Sequence, residues 1–449
     1  MQNQAIPITP VDKASLQTWL EVNARYRAWV EANRFTAEPG QFVLLPDADG
    51  GVGRALAAKC AGAPVWAFAG LPTTLPEGRY RLDAPLDRVA ATDAALGWRL
   101  GSYFYDQYKK PKRAPAALDW PDEADRDEVE RVAAAVSLAR DLINTPAEDM
   151  GPDELVEAGL DVAKRGGAKA RVIRGDALLR ENYPTIHAVG RAAAREPALL
   201  DFRWGAEEAP RVTLVGKGVC FDTGGLDIKP RDGMLEMKKD MGGAAVVLGL
   251  AQALMSANAP IRLRVLIPAV ENSVAGNAIR PRDIIRSRLG KTVEIGNTDA
   301  EGRLILCDAL AEADTEAPDL LVDCATLTGA AKIALGPEVQ ALYCDDDGVA
   351  AEMQANSIAV DDPLWRMPMW RGYRKQIDGE CADLNNVSKS PFAGSIIGAL
   401  YLAEFVSAAK CWAHLDIMAA NVTARPGRPE GGEATGLRAL YAYIRNRYA

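Results

Sequence analysis

The sequence predicts an α/β protein in two parts: a small N-terminal α/β domain and a larger C-terminal α/β/α domain on a mainly parallel mixed sheet. Three observations carry this. At 449 residues the chain is long enough for two or three domains of roughly 150 residues each. Residues 211–219 (RVTLVGKGV), 262–270 (RLRVLIPAV) and 319–327 (DLLVDCATL) are dense in Val, Ile and Leu, as strands buried on both faces are. Between them, 241–258 and 301–316 carry apolar residues at helical spacing. Strands alternating with such helices are βαβ units, whose ligands gather at the carboxyl ends of the strands.

Taken in order, the first 120 residues alternate short apolar runs such as QFVLLP and APVWAFAG with Gly and Pro punctuation. Residues 108–127 are rich in Pro and charge and close this part. Val129, Val132, Ala133, Val136, Leu138 and Leu142 then recur at helical spacing, and Pro146 and Pro152 end the run, which predicts a linking helix over 127–144. The expected division is 1–120 for the N-terminal domain, 121–150 for the linker with its helix, and 151–449 for the larger domain.

Composition excludes several functions. Lys plus Arg is 52 against 61 Asp plus Glu, a net charge of −9, so binding to phosphate backbones or anionic membrane is not expected. The basic stretch 108–115 reads as a solvated linker face. Only two histidines occur, His187 and His414, with no HExxH string, so a zinc site built mainly of histidine is ruled out. Any metal must be held by carboxylates. The seven cysteines form no CxxC pair and read as reduced thiols. The N-terminus lacks a basic region followed by an apolar one, and the longest apolar stretches, 241–255 and 393–409, are interrupted by Gln252 and Glu404. A cytoplasmic protein is expected.

The chemistry concentrates in two segments where strands give way to turns. VGKGVCFDTGGLDIKP (215–230), followed by MLEMKKDMGG (234–243), supplies Lys217, Asp222, Lys229 and Asp240; IGNTDAEGRLILCDAL (295–310) supplies Asp299, Glu301 and Arg303. An Asp beside a glycine is ordinarily a turn or cap residue, but four carboxylates so grouped are not spread as surface charge is. Their four negative charges balance two divalent ions, the count that a two-metal hydrolytic site requires. Asp299 and Glu301, two residues apart, would project to one side of an extended segment. Gly224 and Gly225 would permit a sharp turn after Asp222. Lys217 is placed to offer an amine to a metal, while Lys229 and Arg303 are free to polarise a carbonyl and hold an oxyanion. Each cation taken singly also suits a salt bridge to a neighbouring carboxylate.

NTDAEGRL (297–304) and VGKGVCFDTGG (215–225) resemble the signatures of the M17 leucyl aminopeptidases. The likeness runs over roughly 137–449 through LARDLINTPAEDMGP, KKDMGGAAVV, ATLTGAA, GSIIGALYLAEFV, KCWAHLDI and GGEATG. The first 120 residues carry no matching motif and fit only as a variable N-terminal domain. The resemblance implies a cytoplasmic, homohexameric metallo-aminopeptidase that removes leucine-like or smaller N-terminal residues from peptides through a metal-bridging water. Asp222 and Glu301 would bridge two divalent ions (Mn, Zn, Mg or Co). Asp299 would complete one ion, and Asp240 with the Lys217 amine the other. Lys229 and Arg303 become the catalytic cations, and Arg303 would also hold a bicarbonate. Met237, Thr326, Gly329 and Met418 would line the pocket for the N-terminal side chain.

Three positions depart from the family pattern. Cys220 stands where Thr is common and reads as a packing residue. Asp227 replaces a frequent Ser and adds a negative charge near Lys229. Met418 replaces a small residue, which predicts a shallower pocket. LGKT (289–292) is half a phosphate-binding loop, with Ile285 where a glycine is needed, and is set aside. His414 and His187 read as structural.

Overall fold

A computed structural model describes residues 4–449. The chain divides into two compact units, one reaching to Ser137 and including Thr423–Glu430, the other comprising Leu138–Val422 and Gly431–Ala449. The division thus falls within a helix, Arg126–Asn144, and residues 423–430 go to the first unit, not to the larger domain expected over 151–449. No helix among the described residues is long and apolar enough to cross a membrane.

The first unit holds five strands, β1 (Ile6–Val11), β2 (Phe42–Pro46), β3 (Val52–Ala58), β4 (Arg79–Leu82) and β5 (Ala117–Leu118), in the order β2-β3-β1-β4-β5. Alternation along β3 builds a core on each face. Ala55 and Ala57 pack with Ile8, Phe68, Tyr80 and Trp98, while Leu56 and Ala58 pack with Leu16, Leu20 and Leu45.

The second unit contributes β6 (Lys169–Arg174), β7 (Ala198–Trp204), β8 (Arg211–Gly216), β9 (Gly218–Asp222), β10 (Arg262–Asn272), β11 (Ile284–Arg286), β12 (Thr292–Glu294), β13 (Leu320–Ala325), β14 (Gln340–Cys344), β15 (Leu364–Arg366), β16 (Leu384–Asn385) and β17 (Trp412–Asp416). The large sheet runs β15-β14-β17-β13-β8-β10-β7-β6, with β9 also paired to β10. Its centre, β17-β13-β8-β10, is parallel, and β14, β7 and β6 introduce antiparallel pairings. The class is therefore the α/β architecture with a mainly parallel mixed sheet that the apolar runs predict. One run differs: 211–219 is not a single strand but breaks at Lys217 into β8 and β9. Lys217 N bonds to Cys324 O of the neighbouring strand, and its own carbonyl accepts from Ala244 N, so the backbone turns there to meet the helix Gly242–Ser256.

A buried ionic knot ties strands of the large sheet to the helix Glu301–Asp314. Arg264 of β10 is 2% exposed and donates Nε and Nη2 to the two oxygens of Asp201 on β7 at 3.1 and 2.9 Å, and Nη2 also reaches Glu312 at 2.6 Å. Arg171 and Arg203 also reach Asp201, each at 3.2 Å. Removing one member of such a cluster leaves buried charge uncompensated, so Asp201→Ala should lower the unfolding free energy by about 3–5 kcal/mol. Urea unfolding measures this, and a loss under 1 kcal/mol would contradict the role given to Asp201.

Candidate metal centre

Parallel strands place their carboxyl ends together, and the cluster assembles there. Lys217 follows β8, Asp222 ends β9, Thr326 follows β13 and Asp416 ends β17. Asp240 lies in the 3-10 turn Met237–Met241 that feeds the buried helix Gly242–Ser256. Asp299 sits in a turn, and Glu301 opens the helix Glu301–Asp314. The extended geometry expected for 299–301 is thus not found; the chain turns through Ala300 into the helix, and the two carboxylates meet by that route. Asp222, Asp299 and Glu301 each offer an oxygen within 4.8 Å of the others.

The loop after Asp222 depends on its glycines. Gly224 and Gly225 have φ of +87° and +67°, a region costly for residues with a Cβ. Asp222 Oδ1 accepts from Gly224 N and Asn272 Nδ2, both at 2.8 Å. Asp227, the residue standing where Ser is common, ties this loop to the other one: its carboxylate accepts from Thr298 N and its own N–H donates to Thr298 Oγ1, both at 2.8 Å. At Gly302 a Cβ would lie 2.5 Å from Lys217 Cε, so only glycine lets the helix approach the lysine this closely.

Two ammonium groups serve four carboxylates. Lys217 Nζ lies 2.8 Å from Asp240 Oδ2, 3.0 Å from Glu301 Oε1 and 2.9 Å from Thr326 O. Lys229 Nζ lies 2.8 Å from Asp222 Oδ2 and pairs with Asp299. Burial works against both lysine charges, but the surrounding carboxylates outweigh it and hold both pKa values above the ordinary lysine range. On the acid side burial dominates, and mutual repulsion adds to it. Asp299 is pushed up to about 6 and Glu301 to about 8, and Asp240 is raised. Glu301 Oε2 is buried and has no hydrogen-bond partner among the described residues. Such a cluster lacks positive charge. Hard oxygen donors with one amine among them, crowded and under-compensated, fit divalent cations.

A cavity of about 240 Å³ opens on this cluster. Lys217, Asp222, Lys229, Asp240, Asp299 and Glu301 line it together with Met237, Thr326, Gly329 and Met418. Met418 is buried, and its N–H donates to Gln340 Oε1 at 2.8 Å. Arg303 is the exception among the predicted residues: it is not part of the lining. Its buried guanidinium donates to Asn386 O and makes no ion pair among the described residues. Cys220 is a buried strand residue outside the lining. His414 is fully buried with Nδ1 2.6 Å from Asp323 Oδ1, and His187 sits 3.3 Å from Asp176; neither lines the cavity.

Sequence reasoning missed Asn272, Thr298, Asn386 and Asp416, which hold the site's loops. Asp416 accepts from Leu327 N, Thr328 N, Thr328 Oγ1 and Ser395 Oγ. The available signal was a polar residue closing an apolar strand at its carboxyl end, as in β10 and β17.

Residues 137–441 match the model of the cytosol aminopeptidase family catalytic domain, and residues 6–121 that of the M17 aminopeptidase N-terminal domain. The second match finds a family relationship where no motif was legible. Peptidase B of Pectobacterium carotovorum subsp. carotovorum is 40% identical over 339 residues, covering 73% of this chain and 78% of its own. Among solved structures, a cytosol aminopeptidase from Coxiella burnetii superposes with a TM-score of 0.95 at 47% identity, covering 100% of this chain and 98% of that one. The bottromycin maturation enzyme BotP in complex with Mn superposes with a TM-score of 0.88 at 33% identity over 99% of each chain. With a catalytic-domain match over more than half its length and a carboxylate cluster suited to divalent metal at the strand ends, this chain belongs to the M17 cytosol aminopeptidase family of metal-dependent hydrolases.

Proposed function

We propose that the protein is a two-metal aminopeptidase that releases N-terminal residues from peptides. The observation that carries this is the excess of buried carboxylate, with Glu301 Oε2 unpartnered, at the base of a cavity large enough for a side chain. Asp222 and Glu301 would be shared between two ions, with Asp299 completing one, and Asp240 and the Lys217 amine the other. The Mn complex of BotP favours Mn²⁺, with Zn²⁺, Mg²⁺ and Co²⁺ compatible with the same donors. Bound divalent ions supply an activated water and a Lewis acid for the scissile carbonyl.

The side chains do the rest. Lys229, still protonated, directs its Nζ to the carbonyl oxygen and stabilises the charge that develops there. Lys217 must give up a proton from Nζ before it can serve as a ligand, which its carboxylate neighbours resist until a cation replaces that charge. Arg303, buried without an ion-pair partner among the described residues, is suited to hold a bicarbonate, which would supply a base that no nearby side chain offers. Met237, Thr326, Gly329 and Met418 receive the N-terminal side chain. A cytoplasmic homohexamer acting on peptides, with no nucleic-acid or membrane partner, is part of this reading and rests on family resemblance and net charge.

Chelation should abolish hydrolysis of leucine amide, and Mn²⁺ or Zn²⁺ should restore it. Lys229→Ala and Arg303→Ala should lower kcat by about 10²–10³ with metal content unchanged, whereas Lys217→Ala should lose metal. Metal counting beside kinetics separates these roles, and an Arg303 variant that loses metal overturns its assignment.

The raised carboxyl groups also set a pH dependence. In metal-free protein Glu301 titrates near 8, against an ordinary 4.5, and Asp299 near 6, against 3.8. The folded state then binds more protons than the unfolded state, so this contribution is fully present below the ordinary values and lost as pH rises through the folded ones. Metal-stripped protein should lose thermal stability, relative to Mn-loaded protein, between about pH 5 and 8. A gap in Tm that stays constant over that range counts against the cluster's charge imbalance.

Met418 narrows the pocket, so small N-terminal residues should gain on bulky aromatic ones. One methylene is worth roughly 1–3 kcal/mol of discrimination in such a site. Met418→Ala should therefore raise the ratio of kcat/KM for Phe amide over Ala amide, and an unchanged ratio removes Met418 from the pocket wall.

A further inference from the structure

Two sulfurs meet where β14 ends and β17 begins. Cys344 closes β14 and Cys411 immediately precedes β17. Their Sγ atoms lie 3.8 Å apart, and either can donate the hydrogen between them. Both are free thiols, and neither lines the metal cavity. Cys344 is 1% exposed, whereas Cys411 is half-buried and lines a second cavity, of about 700 Å³, with Arg211, Arg262, Asp346 and Arg447. A small solute reaches the pair through Cys411, with Cys344 directly behind it.

The strand register gives this contact its consequence. β14 and β17 run antiparallel, with Cys344 opposite Ala413 and Ala341 opposite Asp416. At the other end of the pair, Met418 N donates to Gln340 Oε1 at 2.8 Å, and Gln340, Asp416 and Met418 line the metal cavity. β15 and β14 are the last two strands of the sheet, and β17 joins them to its centre. Neighbouring strands lie about 4.8 Å apart, within the reach of a disulfide. A bond between the sulfurs would fasten the outer strands to the centre at the end opposite the cavity.

We propose that Cys344 and Cys411 form an oxidisable dithiol, which peroxide converts to a disulfide that staples β14 to β17. One sulfur, as its thiolate, attacks a peroxide oxygen. An S–O bond forms, the O–O bond breaks, and the departing oxygen leaves as water with the thiol's proton. The other sulfur then attacks this sulfenic sulfur; the S–S bond forms, the S–O bond breaks, and the oxygen leaves as a second water. The two thiols lose two electrons and two protons, and the peroxide gains both. The cross-linked positions are 67 residues apart, so the bond removes much of the freedom of the unfolded chain.

The test treats the Mn-loaded full chain with enough hydrogen peroxide to oxidise the exposed Cys381. Peptide mapping without reductant should find Cys344 joined to Cys411, and dithiothreitol should undo the link. The linked protein should melt about 5 °C above the reduced protein. Cys344→Ser and Cys411→Ser should each abolish that shift. If Cys381 is oxidised while Cys344 and Cys411 stay unlinked, the dithiol assignment is wrong. A link that leaves Tm unchanged, or a shift that survives in both variants, overturns the staple. Should one variant fail to fold, the wild-type map and the other variant decide the matter.

Discussion

The rest of the site depends on one constraint: four carboxylates gathered at the strand ends, three of them with oxygens within 4.8 Å of one another, and two ammonium groups shared in ion pairs among them. Repulsion among such groups in a low-dielectric setting is large, and the protein does not cancel it internally. Lys217 is shared between Asp240 and Glu301, and Lys229 between Asp222 and Asp299. The remaining deficit appears as raised carboxyl pKa values and as the unpartnered Glu301 Oε2. A cluster selected for stability alone would contain more donors. This one is built to be completed by cations.

Holding that arrangement requires rigidity in the surroundings. Each carboxylate comes from a different element, so small shifts between elements would separate them. The central parallel strands fix the origins of the loops, and the loops are then cross-tied. Asp227 and Thr298 exchange hydrogen bonds between the two motif loops, Asn272 reaches both Asp222 and Thr298 O, and Asn386 bonds to Gly296 N and Asn297 O. The amides of Asn272 and Asn386, the Thr298 hydroxyl and the Asp227 carboxylate carry this work, so the metal candidates themselves are not needed to tie the loops together.

The sequence made some of this legible and concealed the rest, for physical reasons. Residues 262–270 and 319–327 read as strands because a strand covered on both faces must be apolar throughout. The break of 211–219 at Lys217 was hidden, because the residues on either side are equally apolar and the turn is dictated by the approach of a helix distant in sequence. The site residues stood out by charge density beside glycines. Asn272 and Asn386 did not, since a single amide in an unremarkable stretch acquires meaning only from the groups it meets. The first 120 residues carry no short motif, and their family relationship emerges only when residues 6–121 are compared as a whole. Residues 423–430 joined the first unit through tertiary packing that no local pattern encodes.

Asp416 shows what separates a ligand from a structural carboxylate. It lines the same cavity as the metal candidates and is buried as deeply as Asp222, Asp240 and Glu301, and by composition it is a fifth acid of equal standing. Its two oxygens, however, accept from Leu327 N, Thr328 N, Thr328 Oγ1 and Ser395 Oγ. Those neutral donors compensate its charge where it stands and orient the chain that carries Thr326 and Gly329. Drawing Asp416 onto a cation would cost several hydrogen bonds in a buried setting. Glu301 would give up no hydrogen bond from its free Oε2 and would gain the compensation it lacks. Hydrogen-bond accounting therefore separates Asp416 and Glu301, two acids that burial and charge leave alike, assigning Asp416 to the architecture of the cavity and Glu301 to its chemistry.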